Sequence, residues 1–260
     1  MTHITAEQSP SRWSRYTVSL LSLLILMTAW YILTDVTGKI SSLYLPSPGD
    51  VWHTLVQVRS TILDHSIVTL KRVIYSFILG STLGVIVGLL MSRYRIIFSL
   101  LEPIIEALRP VPPIALIPFF ILWFGIGDFG KLLLAGEGCF MVMVISTIEA
   151  VRNVQRIYIQ AAQSLGASRA FIYRTVVIPA IIPELIAGWR VALALAFALM
   201  VAAELMGAQQ GLGFMIMVAR RSLNTSTILL GIIIIGFEAA LADQLLRRLT
   251  DRLTAWTERN

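Results

Sequence analysis

Glu149–Pro179 reads EAVRNVQRIYIQAAQSLGASRAFIYRTVVIP. The segment lies between two long apolar stretches, Leu132–Ile148 and Ile186–Met206. It is too polar to cross a bilayer and too regular to be a plain loop. Helical periodicity runs through Val154–Leu165. Gly166 suits the left-handed position that ends a helix, and Ser168 suits the cap of the next one. A helix–turn–helix lying on one face of a membrane is expected, against the plainer alternative of an amphipathic connector resting on headgroups.

Outward from this segment the chain is mostly apolar. Of its residues 57% are hydrophobic and 14% charged, against roughly 25% charged in an ordinary soluble domain, and the mean hydropathy is +0.79. A soluble fold of this length has no interior large enough for that surface. Further apolar stretches centre on Thr17–Thr34, Val73–Met91, Val111–Gly125 and Ile228–Leu246. A span needs about 20 residues, so Val111–Gly125 is short. The helical run Ile96–Leu108 extends it, with Pro110, Pro112 and Pro113 kinking or breaking the helix between them. Six spans are expected. The stretch after the first of them, ILTDVTGKI, is a poor cleavage site, so an uncleaved first span is expected.

The net charge of +6 does not point to nucleic acid, because the basic residues flank apolar stretches and form no runs. With both termini cytoplasmic, Arg12, Arg15, Arg93, Arg95, Arg109, Arg152, Arg156, Arg169, Arg174, Arg247, Arg248, Arg252 and Arg259 lie inside. Lys39, Arg59, Lys71, Arg72, Lys131, Arg220 and Arg221 lie outside, and Arg190 falls within a span. The excess inside agrees with the positive-inside rule, with Lys71–Arg72 and Arg220–Arg221 as contrary signals. Cys139 is the single cysteine, which excludes an internal disulfide.

Several residues invite a functional reading. Ser76, Gly80, Gly84, Gly88 and Ser92 recur every fourth position, a narrow strip on which a second helix can approach closely. Gly125–Lys131, GIGDFGK, fits the start of a phosphate-binding loop but continues with Leu132 where Ser or Thr is needed. With no strand before it, a glycine turn between helices is expected. Glu137, Glu184, Arg190 and Glu204 fall in or near spans, where a charge costs roughly 2.5–3.5 kcal/mol and needs a pathway, a partner or water. Glu184 and Glu204 sit near span ends, within reach of water. Arg190 can snorkel or stand beside a translocation path. Glu137 is the deepest, about 9 Å below Lys131 at ~1.5 Å per residue. It is a candidate either for the path or for burial against another helix.

The segment Glu149–Pro179 resembles the signature of ATP-binding-cassette (ABC) importer permeases: Glu-Ala-Ala, three residues, Gly, nine residues, then Ile-x-Leu-Pro. Here Gln160, Ala161 and Ala162 are followed by Gly166, then Val176, Ile178 and Pro179. Every spacing matches, and the polar departure is Gln160 in place of Glu. The stretches LPSPGDVWHTL, HSIVTLKRVIYSF, LRPVPPIALIPFFILWFGIGDFGK and GWRVALALAFALMVAAELMGAQQGLGFMI, with Arg247–Trp256, are similar to the nitrate/sulfonate/taurine/bicarbonate branch.

The resemblance implies an all-α polytopic fold of about six transmembrane helices, the type I importer permease fold. It implies a cytoplasmic tail over 1–16, a first span and external segment over 17–66, and a cytoplasmic tail over 251–260. The permease domain occupies 67–250, with cytoplasmic coupling helices at about 149–175. Gln160, Ala161, Ala162, Gly166 and Pro179 then couple the permease to its ATPase. Ala161 and Ala162 keep the docking face small, Gly166 turns the chain, and Pro179 marks the rigid start of the fifth span. Glu137 and Arg190 are candidates for the translocation path, and Gly80, Gly84 and Gly88 for helix packing.

The implied partners are two cytoplasmic ATPase subunits, which hold ATP and magnesium, and a second permease copy. A periplasmic or surface-anchored protein delivers substrate, expected to be a small anion or zwitterion such as taurine. The permease itself needs no cofactor, metal or catalytic residue, and it sits in the bacterial inner membrane. Two other classes compete. A secondary transporter would explain the spans and Glu137, yet no repeat relates the two halves. A membrane enzyme lacks its motifs, and His3, His53 and His65 all lie outside the spans.

Overall fold

The computed structural model describes residues 12–38 and 40–251. The expected tails therefore fall almost wholly outside the described residues, as do Lys39, Arg252 and Arg259. Every regular element in the described residues is helical. In chain order these are α1 (Arg12–Tyr31), α2 (Pro48–Gln57), α3 (Arg59–Arg93), α4 (Arg95–Leu108), α5 (Ile117–Phe124) and α6 (Asp128–Asn153). They continue with α7 (Arg156–Ser164), α8 (Arg169–Ile172), α9 (Ile178–Gly207), α10 (Leu212–Arg221) and α11 (Thr225–Asp251).

Two compact units divide the chain: Met1–Val58 with Ala219–Leu230, and Arg59–Val218 with Gly231–Asn260. In the first, α1 runs on into a π-helical turn at Ile32–Val36. Trp30 donates its indole N–H to the Pro46 carbonyl at 3.1 Å. Ser47 and Asp50 form a reciprocal capping box at the start of α2, with Pro48 in its first turn. Thr225 closes the unit by donating its hydroxyl to the Leu43 carbonyl at 2.8 Å.

The second unit is built on α3, α6 and α9. Its buried core joins Val73 of α3 to Ala135, Cys139 and Met143 of α6 and to Ala192, Ala196 and Met200 of α9. A Cβ added at Gly84 would lie 2.6 Å from the Phe140 carbonyl oxygen and 2.7 Å from Met143 Cβ. One at Gly88 would lie 2.7 Å from Thr147 Cβ, and one at Gly80 would meet the Gly136 carbonyl and, at 2.9 Å, Cys139 Cβ. The small-residue strip of α3 thus lies directly on α6. Without side chains there the two backbones approach closely, which is how helices gain contact where lipid removes the hydrophobic drive between them.

Among the described residues, four helical stretches are long and apolar enough to cross a membrane: Arg59–Arg93, Asp128–Asn153, Arg169–Gly207 and Thr225–Asp251. The expected third span is broken. α4 and the short stretch Pro113–Phe124 meet at 84°, because Pro110, Pro112 and Pro113 remove donors and crowd the preceding turn. Counted as one bent span, the pair brings the number to five. The first apolar stretch adds a shorter helix, Leu20–Val36. α3 also starts earlier than its apolar centre implies, and its 35 residues extend about 52 Å at ~1.5 Å each, well beyond a hydrocarbon core of about 30 Å.

Candidate coupling element and buried charges

Between α6 and α9 the chain leaves the bundle and returns within about 25 residues. α7 ends in a Schellman turn: Ala167 N–H bonds the Ala162 carbonyl at 3.1 Å, and Gly166 N–H bonds the Gln163 carbonyl at 2.9 Å. Gly166 has φ +78°, a conformation costly for any residue with a Cβ. Two residues on, Ser168 accepts a hydrogen bond from Phe171 N–H and caps α8. A tight, doubly capped corner results, with no buried residue in α7.

The corner exposes several large apolar side chains among its polar ones. Leu165 is 88% exposed, Ile157 64% and Phe171 58%, with Tyr158 beside them. Gln160 and Ala161 are exposed and Ala162 is half-buried. Large apolar side chains are thus presented on a backbone fixed by two caps.

Pro179 occupies the second position of α9, at the start of the fifth span as expected, and the arm before it runs on into the same helix, so that Arg169–Gly207 forms one continuous 39-residue stretch. Pro179 has no N–H to give and its ring crowds the carbonyl one turn back. The chain relieves this by widening into a π turn over Tyr173–Val177. The second arm of the corner and the fifth span are therefore one rod, and Tyr173 anchors it by donating its hydroxyl to the Leu89 carbonyl of α3 at 2.9 Å.

At the far end of that rod, Glu204 is 1% exposed. The expectation that it reaches water is wrong. Arg72 Nη1 donates to Glu204 Oε1 at 2.7 Å and to the Gln210 carbonyl at 2.8 Å, while Nη2 donates to Asp128 Oδ1 at 2.5 Å. Thr69 donates to Glu204 Oε2 at 2.9 Å and accepts from Leu212 N–H. Gly213 N–H completes the set at 3.0 Å from Oε2. Gly211, at φ +112°, passes so close that a Cβ there would overlap the carboxylate. One buried carboxylate thus holds α3, α9 and the first turn of α10 together.

Arg72 was expected in an external loop, as a contrary charge. It is 7% exposed, inside α3, so it carries no weight in a count of loop charges. Lys131 likewise is 5% exposed, in the first turn of α6. Its ammonium donates to the carbonyls of Ile126 and Gly127, tying the bend at Gly125–Gly127 to the first turn of α6. Among the described residues no strand leads into it.

Glu137 is half-buried on α6. Its Oε2 is buried with no hydrogen-bond partner, and the side chain lines an apolar groove of about 510 Å³ with Tyr75, Leu79, Gly80, Phe129 and Phe140. Arg190 pairs in a fork with Asp243 of α11, at 2.7 and 2.8 Å, with both side chains well exposed. Glu184 is exposed and accepts from Asn153 Nδ2 at 3.3 Å. The structure brings neither Glu137 nor Arg190 to the coupling corner. Asp243 drew no attention in the sequence.

The pairing of Arg72 with Glu204 was missed, yet a signal for the two positions exists. The every-fourth strip of α3, run back one step from Ser76, lands on Arg72. The buried series Gly188, Ala192, Ala196 and Met200 of α9, run forward one step, lands on Glu204.

A bundle of apolar helices packed through small residues, with a rigid apolar-tipped corner standing out from it, defines a multi-pass membrane permease. Residues 80–255 match the family described as the binding-protein-dependent transport system inner membrane component, and the chain belongs to that family of ABC importer permeases. It is 37% identical to the taurine transport system permease protein TauC of Escherichia coli (strain K12), over 94% of this chain and 92% of that one. It is 31% identical to the putative aliphatic sulfonates transport permease protein SsuC of Bacillus subtilis (strain 168), over 89% and 84%. A solved chain of the MetNI methionine ABC transporter, in an inward-facing conformation, aligns with a TM-score of 0.56 at 19% identity, covering 80% of this chain and 99% of that one. That likeness shows the fold, an all-α type I importer permease. Membership does not favour the ion-gradient alternative.

Proposed function

We propose that this permease imports taurine or a closely related sulfonate, driven by ATP hydrolysis on separate subunits. Two copies form the path, each docking one ATPase through α7 and α8, and a binding protein delivers solute on the opposite face. ATP and magnesium stay with the ATPase, and both chain termini lie on its side of the membrane. The observation that carries the coupling role is the corner itself: Ile157, Leu165 and Phe171 exposed on a backbone fixed by the Gly166 turn and the Ser168 cap.

The continuous helix Arg169–Gly207 supports a mechanical reading. A push on its first turn travels along a rod of roughly 58 Å to Glu204, which grips α3 and α10 at the other end. Gln160 lacks the charge of the family pattern, so docking rests on apolar contact and hydrogen bonds rather than on a salt bridge from that position.

The solute reading rests on the named relatives and on Glu137. A carboxylate in an apolar groove needs a cation, water or donors. A zwitterion brings an ammonium to it, whereas a simple anion is repelled. Arg190, already paired with Asp243, is the second path candidate, since a sulfonate must compete with that carboxylate for the guanidinium.

The test is labelled-taurine uptake in proteoliposomes holding the permease, its ATPase and its binding protein. Glu137→Gln, which keeps shape and removes charge, should express normally and lower uptake about tenfold or more. Loss of folded protein would make Glu137 a packing residue, and unchanged uptake would remove it from the path. Uptake of taurine without ATP would overturn the whole reading.

A further inference from the structure

Three helix ends on the coupling side converge on a basic cavity for which solute transport has no use. α3 ends at Arg93, α4 begins at Arg95, and Arg152 lies in the last turn of α6. Their side chains line one cavity of about 330 Å³, walled on its other side by Met91, Phe98 and Ile148. No acidic residue lines it. Among the described residues, the ion pairs involve Arg72, Arg109 and Arg190, and none of these three arginines. The acids Glu102, Glu106 and Glu149 line a smaller adjoining cavity, on the far side of Met91, Phe98, Ile148 and Arg152, which line both.

Two of the three guanidinium groups lie over aromatic rings rather than against carboxylates. Arg93 lies 5.6 Å from the centre of the Tyr173 ring and 5.8 Å from that of Tyr94, and Arg152 lies 5.4 Å from that of Phe98. Tyr94, at the N-cap of the 14-residue α4, makes no side-chain cap bond, so the first amides of that helix add partial positive charge nearby. Basic residues at the ends of spans are ordinary, since they orient the chain. Orientation needs only their number. It does not call for three guanidinium groups from three helices around one cavity, with half the wall apolar.

We propose that this cavity binds the headgroup of an anionic phospholipid from the cytoplasmic leaflet. The phosphodiester oxygens meet the arginines, whose planar forks suit phosphate, and the start of an acyl chain lies along Met91, Phe98 and Ile148. Ile96 and Leu100 of α4 are exposed beside them, continuing the apolar surface into the bilayer. A soluble phosphate shares the oxyanion chemistry but leaves the apolar wall unused. Basic pockets between spans on the cytoplasmic side are a known physical solution for anionic headgroups. The choice of leaflet rests on the proposed function, which puts the coupling corner in the cytoplasm; the binding itself does not.

The experiment is native mass spectrometry of the detergent-purified permease, without ATPase or solute, titrated with phosphatidylglycerol or with phosphatidylcholine. Phosphatidylglycerol should be retained at least tenfold better. Arg93→Gln, Arg95→Gln and Arg152→Gln should each weaken retention about fivefold, the loss expected for one basic group at an anionic surface. Arginine-to-lysine variants, which keep the charge, should retain most of the binding and confirm folded protein. Removing Lys71, Arg220 and Arg221 together, as glutamines, should change nothing. Equal retention of both lipids, or a triple Arg93/Arg95/Arg152 variant that still prefers phosphatidylglycerol, overturns the proposal. So does millimolar inorganic phosphate that fully displaces the lipid, which would make the ligand a soluble anion. Taurine uptake is not read in this assay, so its failure and that of the transport reading are separate results.

Discussion

Glu204 and Arg72 are 132 positions apart in the chain and meet with both side chains buried. Breaking a buried pair leaves its partner charged and unpaired, at about 3–5 kcal/mol. Arg72→Gln, which leaves Glu204 buried without a cation, should lower the melting temperature in detergent markedly; Glu204→Gln, which leaves Arg72 its Asp128 partner, should cost less, and the double variant should lose less than the sum. Additive losses would mean that the two do not depend on each other. Gly84 offers a steric counterpart. A Cβ there overlaps α6, so Gly84→Ala should destabilise by about 1–3 kcal/mol. At Gly236 of α11 a Cβ meets nothing within 4 Å, so Gly236→Ala should be neutral or gain up to ~1 kcal/mol of helix propensity. The period of four in α3 was legible in the sequence as a packing face. That the charge at the end of this face is buried and paired was not, because the period lands on Arg72 without showing which partner meets it.

The coupling corner was the most legible element. A periodic run, a glycine, a serine three residues before Phe171 N–H: each local signal has a local cause, a left-handed turn or a cap, and needs no tertiary partner. Its continuity with α9 was not legible, because Pro179 normally marks a helix start and the π turn that absorbs it has no sequence signature. Gly166→Pro cannot adopt φ +78°, and Ala162→Trp adds bulk to the docking face. Both variants should reach the membrane at near-normal levels while ATPase co-purification and taurine uptake fall together, by at least tenfold. Normal uptake by both would reduce the segment to a connector. Leu165→Ser removes an exposed side chain, so it should leave stability within ~0.5 kcal/mol and weaken ATPase association alone.

For the molecule as a whole, the proposed function has the one corner of each chain serve one ATPase, which predicts a permease of two copies. A mass measurement of the assembled complex in detergent should find two permease chains, and a stable active complex with one would refute this. Cys139 is fully buried, so a cysteine introduced at Leu165 can be labelled selectively. Its accessibility should drop when the ATPase is bound. The bent arrangement of α4 and α5 belongs to this scale too. Three prolines announced a break, but its angle of 84° follows from what the two arms pack against, and no run of residues encodes that.

By itself the sequence determined that the chain lives in a bilayer, that it is helical, and where its capped corner stands. Those properties are local: hydropathy over about 20 residues, a period near 3.6, a turn residue at a fixed offset. Only the tertiary structure decided which charges are buried and with whom. Arg72, Asp128 and Glu204 lie on three helices, and their separation in sequence is unrelated to their separation in space. In a medium without water a charge survives by finding its partner, and that partner is chosen by helix packing.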